Sequence, residues 1–382
     1  MNRLASFLAL GGPWLLAACP APSAPGDDTT GSSTSVGELT SSGPGVDGSG
    51  TSTTGPGESS SSGDVDSTGT TGAGIDDPGC PECIVLVDGL MGGRGIDVDT
   101  DYVYVTDQAA GVVSRILKGG GEGGPIAEGQ DEPYEIAVGD GYAYWTNFSA
   151  GGGVMRVPVA GGMVEVVEPV SNSRGIAFSG GYVYWSTFST DSGQILRRSA
   201  GLGAPVDVLA YQSGGIPDLV VDGDTVYFTS HSNSDGTAFI EPPPMGPPEG
   251  RVLVATPTGD PFDPTALVVD QAEPWGIARS GGLVVWANGD GDGAFSPNRV
   301  QSRPTAGGPV SALAVNQLDP WGVAADEQHA YFTDNDEVKA VPLAGGEVIV
   351  LAEQQNQARG IVVDDQWVFW VTRDRVLQRA KP

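Results

Sequence analysis

The chain has 382 residues and a formal net charge of −30, with 48 acidic residues against 18 Lys and Arg. This charge argues against a nucleic-acid partner, because phosphate binding requires clustered Lys and Arg. The acidic residues are spread along the chain, which favours a surface whose like charges keep copies apart, so we expect a monomer.

The first nineteen residues have the features of an export signal. Arg3 precedes an apolar segment, Leu4 to Leu16, that is too short to span a bilayer and is interrupted by two Gly and a Pro. The sequence Leu-Ala-Ala-Cys that follows ends at Cys19 and resembles the bacterial lipobox, in which the Cys is lipidated and becomes the first mature residue. The alternative is an ordinary cleaved signal.

The lipobox resemblance implies where the protein resides. More than one acyl chain on Cys19 gives stable anchoring, so the lipid bilayer is an expected partner and the bacterial cell envelope the expected location. Pro20 follows the Cys, where Asp favours inner-membrane retention in enterobacterial lipoproteins. We therefore expect the outer membrane or the cell surface.

Residues 20–79 are predicted to be a disordered linker. They contain no aromatic residue, no Lys and no Arg, and consist mainly of Ser, Thr, Gly, Pro, Asp, Glu and Ala. Such a segment buries too little apolar surface to offset the entropy of ordering. Apolar and aromatic residues return from about Cys80, so we expect one folded domain over residues 80–382.

Cys80 and Cys83 stand at the start of this domain in the sequence Cys-Pro-Glu-Cys. In an oxidising compartment such a pair favours a local structural disulfide. A thioredoxin-like redox site is the alternative, but it requires a βαβ context, and a zinc site requires further ligands nearby.

The stretch GIAFSGGYVYWS, Gly175 to Ser186, reads as strand, tight turn, strand, and copies of it recur along the domain. An apolar residue marks the same position in each of seven copies: Ile96, Ile136, Ile176, Leu219, Ile277, Val323 and Ile361. The steps between them are 40, 40, 43, 58, 46 and 38 residues. A period near 40 built of short strands is typical of a β-propeller.

Each copy extends to four strands, so the predicted fold is all-β: a seven-bladed β-propeller of four-stranded antiparallel blades. The last copy lacks its fourth strand, because the sequence ends at Pro382 straight after its third. Residues 84–90 have the pattern of a fourth strand and precede the first copy without a hairpin of their own. We therefore predict that residues 84–90 pair with Val376 to Arg379 and close the seventh blade, which removes exposed strand edges.

Three of the copies contain a further motif at the end of the second strand. The sequences Tyr144 to Asn147 (YWTN), Tyr331 to Asp334 (YFTD) and Tyr104 to Asp107 (YVTD) resemble the YWTD repeat of low-density-lipoprotein-receptor-type propellers. The resemblance covers residues 84–382 and implies propeller architecture and an extracytoplasmic setting. That family has six blades and this chain has seven copies, so its ligand-binding residues are not transferred.

Function in a propeller is expected on the loops around one mouth of the central channel. The residues that precede the repeated Gly position should meet there: Arg94, Tyr134, Arg174, Pro217, Trp275, Trp321 and Arg359. Glu135 and Asp218 replace the Gly itself in two copies. Arg and aromatic side chains bind carboxylates, sulfated or neutral sugars, or a peptide. The alternative is a purely structural cap that holds the blades in register.

Residues Asn288, Asp290 and Asp292 follow the second strand of the fifth copy with the spacing of a calcium-binding loop. The twelfth position is Arg299 rather than Glu, and the ninth is Ser296. A flexible acidic turn is therefore the alternative to calcium, and we predict no other cofactor.

These patterns predict a membrane-anchored extracytoplasmic lipoprotein that presents a propeller as a binding module for a protein, peptide or glycan. We do not expect an enzyme and assign no catalytic residue; the sequence has two His, His231 and His329, and no G-x-S-x-G motif. The alternative is a metal-assisted lyase or lactone hydrolase that uses Glu135, Asp218 and His231 at the channel mouth.

Overall fold

A computed structural model describes residues 77–189, 192–231, 250–289 and 298–382. These residues form 28 strands in seven antiparallel sheets of four. The predicted seven-bladed β-propeller is therefore confirmed. The predicted signal segment, Cys19 and nearly all of the linker lie outside the described residues. Within the described part of the chain, no helix is long and apolar enough to cross a membrane.

Six blades are built from consecutive strands, with the first strand of each blade innermost. Blades 1 to 3 consist of β2 (Gly93–Val98), β3 (Tyr102–Asp107), β4 (Val112–Leu117) and β5 (Gly123–Ala127); β6 (Pro133–Gly139), β7 (Tyr142–Asn147), β8 (Gly153–Pro158) and β9 (Glu165–Glu168); β10 (Ser173–Ser179), β11 (Tyr182–Thr187), β12 (Gly193–Ser199) and β13 (Asp207–Gln212). Blades 4 to 6 consist of β14 (Leu219–Asp222), β15 (Thr225–Ser230), β16 (Gly250–Ala255) and β17 (Thr265–Gln271); β18 (Pro274–Ser280), β19 (Leu283–Asn288), β20 (Arg299–Pro304) and β21 (Ser311–Val315); β22 (Pro320–Ala325), β23 (His329–Asp334), β24 (Glu337–Pro342) and β25 (Ile349–Ala352).

Blade 7 combines both ends of the domain. It contains β26 (Ile361–Val363), β27 (Trp367–Val371), β28 (Arg375–Ala380) and, on its outer edge, β1 (Ile84–Asp88). β1 runs antiparallel to β28, with Ile84 opposite Gln378 and Asp88 opposite Arg375. The predicted closure is therefore confirmed. The innermost strands contact one another in a closed ring, β2 to β26 and back to β2.

The inner hairpin of blade 3 shows why the repeated sequence forms strand, turn, strand. Ser179 pairs with Tyr182 across the turn, and both intervening residues, Gly180 and Gly181, have positive φ angles of 57° and 79°. Two residues with positive φ form a tight turn whose twist matches that of the strands, and Gly adopts this conformation without strain. The turn fixes the register of the hairpin.

The second strand of each blade lies between neighbouring blades and is buried on both faces. Trp145, Trp185, Trp286 and Trp370, which occupy the same position in four blades, have no exposed surface. Their neighbours come from the adjacent blade: Trp145 packs with Tyr104 and Val113 of blade 1. The aromatic side chains of the repeat are therefore core residues.

The hydroxyl group near the end of the second strand joins neighbouring blades. The Thr106 hydroxyl accepts a hydrogen bond from the Gly95 amide at 2.8 Å and donates one to the Tyr134 carbonyl of the next blade at 2.6 Å. Equivalent bonds to the next blade link Thr146 to Arg174, Ser186 to Ile216, Thr229 to Trp275, and Thr333 to Arg359. Blade 5 has Ala287 at this position and lacks the bond.

The segment before β1 is attached to blades 6 and 7. Cys80 and Cys83 form a disulfide with a Cα–Cα distance of 5.3 Å, and Cys80 is buried against Val85 and Leu351. Asp77 is also buried and forms an ion pair with Arg375 at 3.4 Å. The fold thus includes the last three residues of the predicted linker.

Candidate functional site

The residues that precede the repeated Gly position meet at one mouth of the central channel. We call Arg94, Tyr134, Arg174, Trp275, Trp321 and Arg359 the mouth ring. Five of them are the second residues of the innermost strands β2, β6, β10, β18 and β22. Arg359 lies two residues before β26. The structure therefore brings together the six Arg and aromatic residues that the repeats align.

A local backbone feature directs these side chains to the mouth. In each of the five strands that contain a ring residue, the ladder to the second strand shifts register at that residue and the next one. Such β-bulges change the direction in which a side chain points. The following Gly permits the backbones to approach: a Cβ atom on Gly322 would lie 2.2 Å from the Arg359 carbonyl oxygen.

The mouth ring is a closed circuit of cations and aromatic rings. The Arg94 guanidinium lies 4.2 Å from the Tyr134 ring centroid and donates a hydrogen bond to the Tyr134 hydroxyl. The Arg174 guanidinium lies 5.0 Å from the centroid of the same Tyr134 ring and 4.9 Å from that of the Trp275 ring. Trp275 stacks on Trp321 at 4.1 Å, and Trp321 lies 5.4 Å from Arg94.

Two further contacts extend this circuit. Arg359 lies over the Trp321 ring at 4.6 Å. Arg174 also contacts Phe188 at 4.3 Å and Phe148 at 5.9 Å, so four aromatic rings surround its guanidinium. Arg174 is only 6% exposed, and burial lowers its pKa from the usual value. The guanidinium remains charged at any pH that a protein tolerates.

Sequence reasoning missed Phe148 and Phe188, which pack behind Arg174, and named His231 only as part of a candidate lyase or lactonase site. Phe148, Phe188 and His231 each follow directly on a second strand, in blades 2, 3 and 4. His231 packs edge-on against Phe188 at 5.7 Å and Trp275 at 4.4 Å. A ring-bearing residue directly after the second strand recurs in three consecutive copies, and this recurrence could have indicated the cluster.

A cavity of about 80 Å³ lies within the mouth ring. Its lining includes Arg174, Arg359, Trp275 and Trp321 from the ring, together with Glu135 and Asp218. Pro217, which stands at the ring position of blade 4, also contributes. All but one of the eight predicted ligand-binding residues therefore line one cavity, and the remaining one, Arg94, contacts Tyr134 and Trp321 beside it.

The acidic residues of the channel differ in their bonding. Burial, and to a smaller extent the charge of Asp218, raise the pKa of Glu135 to about 8. Asp218 accepts hydrogen bonds from the Leu219 amide at 2.8 Å and the Ile277 amide at 3.0 Å, so it joins blades 4 and 5. Asp97, which the sequence did not single out, joins blades 1 and 2 in the same way through Val138.

The three residues considered for a lyase or lactonase also approach this cavity. His231 Nε2 lies 3.1 Å from the Pro274 carbonyl oxygen, and burial lowers the pKa of the imidazole to about 3. The imidazole is therefore neutral at physiological pH. Like Asp218, it is held by a hydrogen bond to the backbone. In the described ranges, no group of three or more His, Cys, Asp and Glu side chains is arranged to hold a metal ion. His329 begins β23, at the opposite end of the blade from the mouth ring.

Of the three residues predicted to bind calcium, the structure describes only Asn288. Asp290 and Asp292 lie outside the described residues. Asn288 is buried, and its amide donates hydrogen bonds to Gln271 at 2.9 Å and Gln301 at 2.8 Å. These bonds join Asn288 at the end of β19 to β20 of the same blade and to the last residue of β17 in blade 4, which gives Asn288 a structural role.

Comparison with known proteins identifies the fold only. No family model and no curated protein sequence matches the chain. Among solved structures, a streptogramin B lyase superposes with a TM-score of 0.61 at 16% identity, covering 78% of this chain and 96% of the lyase. A gluconolactonase from Xanthomonas campestris gives 0.49 at 14% identity, covering 78% and 89%. The nidogen/laminin complex gives 0.41 at 17%, covering 74% and 85%. At these identities the likeness shows the fold alone.

Proposed function

We propose that this protein is a binding module whose ligand, a protein, peptide or glycan, engages the mouth ring. The observation that carries the proposal is the closed circuit of Arg94, Tyr134, Arg174, Trp275 and Trp321 around one cavity. Tyr, Trp and Arg are the residues that contribute most to binding energy at protein interfaces. Guanidinium groups add directional hydrogen bonds, and aromatic faces add stacking area for sugar rings or peptide side chains.

A glycan and peptide array tests this proposal. The wild-type chain should bind a subset of the array, and the triple variant Arg174→Ala, Trp275→Ala, Trp321→Ala should lose that subset. The control is the double variant Arg251→Ala, Phe262→Ala, because both residues are exposed and outside the mouth ring. Equal binding by the wild type and the triple variant would remove the mouth ring as the site.

We further propose that the module is anchored to a bacterial envelope membrane through acylated Cys19. The support is the sequence pattern of the first nineteen residues and the composition of the segment that follows. A Cys19→Ser variant expressed in a bacterial host should move from the membrane fraction to the soluble fraction. A variant that stays in the membrane fraction would contradict lipid anchoring at this residue.

A lyase or lactone hydrolase is the second candidate function. It is favoured by Glu135 and Asp218, which line the cavity, and by His231, which packs against the cavity residue Trp275. Turnover of cyclic esters in the presence of divalent metal ions, abolished by Glu135→Gln, would establish this function in place of binding alone. The absence of turnover with every metal would leave the binding module.

A further inference from the structure

The arginines of the mouth ring lack the ion pairs that several other arginines of the propeller form. Arg156, Arg198 and Arg279 each form an ion pair with a carboxylate, at 2.7 Å, 3.0 Å and 2.7 Å. Among the described residues, no carboxylate oxygen lies within 4.0 Å of the guanidinium nitrogens of Arg94, Arg174 or Arg359. Acidic residues outnumber basic ones by 48 to 18, so the lack of partners does not reflect a shortage of carboxylates.

Arg174 is the most constrained of the three. It is 6% exposed, and within the described part of the chain its guanidinium nitrogens have no hydrogen-bond acceptor. The rings of Phe188 and Trp275 face its charge but offer no acceptor in the guanidinium plane. Glu135 and Asp218 attract its charge but do not contact its nitrogens. A buried charge without a direct partner is costly, so a ligand oxygen that meets these nitrogens gains a charged hydrogen bond.

The size of the cavity limits what can enter. It measures about 80 Å³ and is bounded by Arg174 and Arg359 and by the stacked indoles of Trp275 and Trp321. This volume exceeds the space of a single water several-fold, but it is well below that of a drug-sized ligand site, roughly 300 Å³ or more. The cavity therefore fits the charged tip of a ligand, with the rest of the molecule outside the mouth.

The acidic neighbours favour an anion with a single charge. Burial raises the pKa of Glu135 to about 8, so at neutral pH its carboxyl is protonated and can donate a hydrogen bond to an incoming oxygen. Asp218 lines the same cavity, and both of its oxygens accept backbone amides. A dianion such as phosphate would place its second charge near Asp218, whereas a carboxylate carries one charge only.

We propose that the cavity binds the carboxylate of a ligand between the guanidinium groups of Arg174 and Arg359, with the adjoining carbon atoms against Trp275 and Trp321. This inference rests on the proposed binding function and names the chemical class of the ligand. A sugar acid and the free C-terminus of a peptide both supply this chemistry, and the test separates them.

Calorimetry of the full chain with matched probes tests the inference. D-glucuronate is compared with D-glucose, and acetyl-Ala-Ala with its C-terminal amide, while inorganic phosphate serves as the dianion. At least one carboxylate should bind, and its neutral counterpart should bind at least tenfold more weakly. Arg174→Gln should weaken binding of the carboxylate by about 10- to 100-fold, which is the effect of losing a charged hydrogen bond. The control is Arg251→Gln, the same substitution at an exposed arginine, which should leave the affinity for the carboxylate unchanged.

Three outcomes overturn the inference: no carboxylate binds at millimolar concentration, the neutral counterpart binds equally well, or phosphate binds more tightly than both carboxylates. If Arg174→Gln fails to fold, the comparison of acid with neutral probe on the wild type is decisive by itself. Neutral probes that bind, and lose binding in Trp275→Ala, would retain the mouth site and reject the carboxylate. Array ligands that bind equally to the wild type and the triple variant would instead reject the proposed function.

Discussion

Trp145 and Trp185 occupy the same position in neighbouring blades, and both are fully buried. The Trp145 indole donates a hydrogen bond to the Asn147 side chain at 3.1 Å. The Trp185 indole nitrogen is buried and has no partner in the described residues. An unpaired buried donor costs about 1 to 3 kcal/mol, so identical side chains contribute differently to stability.

This difference predicts unequal effects of one substitution. Trp145→Phe should destabilise the protein by about 1 to 2 kcal/mol more than Trp185→Phe, because the first leaves Asn147 without its donor and the second removes an unpaired donor. Both variants lose the same volume, so the cavity contributions are similar. Urea unfolding of the two variants measures the difference, and equal midpoints would contradict it.

The innermost strands approach each other closely at Gly322, and a substitution there tests this contact. Ala at this position would place a Cβ atom 2.2 Å from the Arg359 carbonyl oxygen, so the strands must separate. Gly322→Ala should therefore cost about 1 to 3 kcal/mol, the usual range for overpacking. Gly124 is the control, because it also lies in a strand and a Cβ atom there meets nothing within 4 Å. If both variants melt at the same temperature, the backbone contact does not limit the fold.

Glu135 predicts a dependence of stability on pH. Its folded pKa of about 8 exceeds the ordinary value of 4.5, so the folded state holds this proton more tightly than the unfolded state. The contribution is fully present below the ordinary value and is lost as pH rises towards 8. The pKa values of Asp97 and Asp218 are raised to about 6, so these residues act in the same direction over a lower range of pH.

Glu135→Gln isolates this contribution, because the amide imitates the protonated carboxyl. From about pH 5 to about pH 9, the wild type should lose stability relative to Glu135→Gln. Repulsion among the other acidic residues affects both proteins equally, so it cancels when their stabilities are subtracted. A difference in melting temperature that stays constant over this range would show that Glu135 keeps its ordinary pKa.

At the scale of elements, β1 is the outer strand of blade 7, and its Leu86 is fully buried. Deleting residues 84–90 would expose the edge of β28 and remove this apolar contact. We expect aggregation or a sharply lower melting temperature, since exposed strand edges pair with other chains. Removal of seven linker residues, 40–46, is the control. A soluble and equally stable protein after the first deletion would contradict closure by β1.

The elements could be predicted because each blade repeats the same signals. Two-residue turns such as Gly180 and Gly181, and apolar second strands such as Tyr182 to Trp185, recur at a period near 40. The β-bulges could not, because a register shift depends on how two strands pair rather than on one sequence. The bonds of the Thr106 hydroxyl join separate blades, so no local pattern reports them.

The candidate site was predicted in part for the same reason. Aligning the repeats selected Arg94 and Trp321 by position, and the symmetry of a propeller brings equal positions to one mouth. The sequence could not indicate that Arg174 is enclosed by four rings, because Phe148 and Phe188 belong to loops of different blades. Nor could it separate Asp218, which binds backbone amides, from Glu135, which faces the cavity.

At the scale of the whole molecule, basic residues connect blades. Arg115 and Arg156 stack on tyrosines of their own blade and donate hydrogen bonds to carbonyl groups of the next. All three lysines form ion pairs: Lys118 with Asp364, Lys339 with Asp334, and Lys381 with Asp326. The planar guanidinium stacks face-on against a ring while its outer nitrogens donate to a carbonyl group, a geometry that the compact ammonium group does not have.

The pairing of β1 with β28 also affects when the protein can fold. Asp88 and Arg375, which form an ion pair across these strands, are separated by 287 residues. Contacts between distant residues delay folding, because the intervening chain must be brought together first. A ribosome makes β28 after all the other strands of the propeller, so the ring cannot close before β28 has been synthesised. A chain that is exported through a membrane in sequence order would therefore close its ring only on the far side.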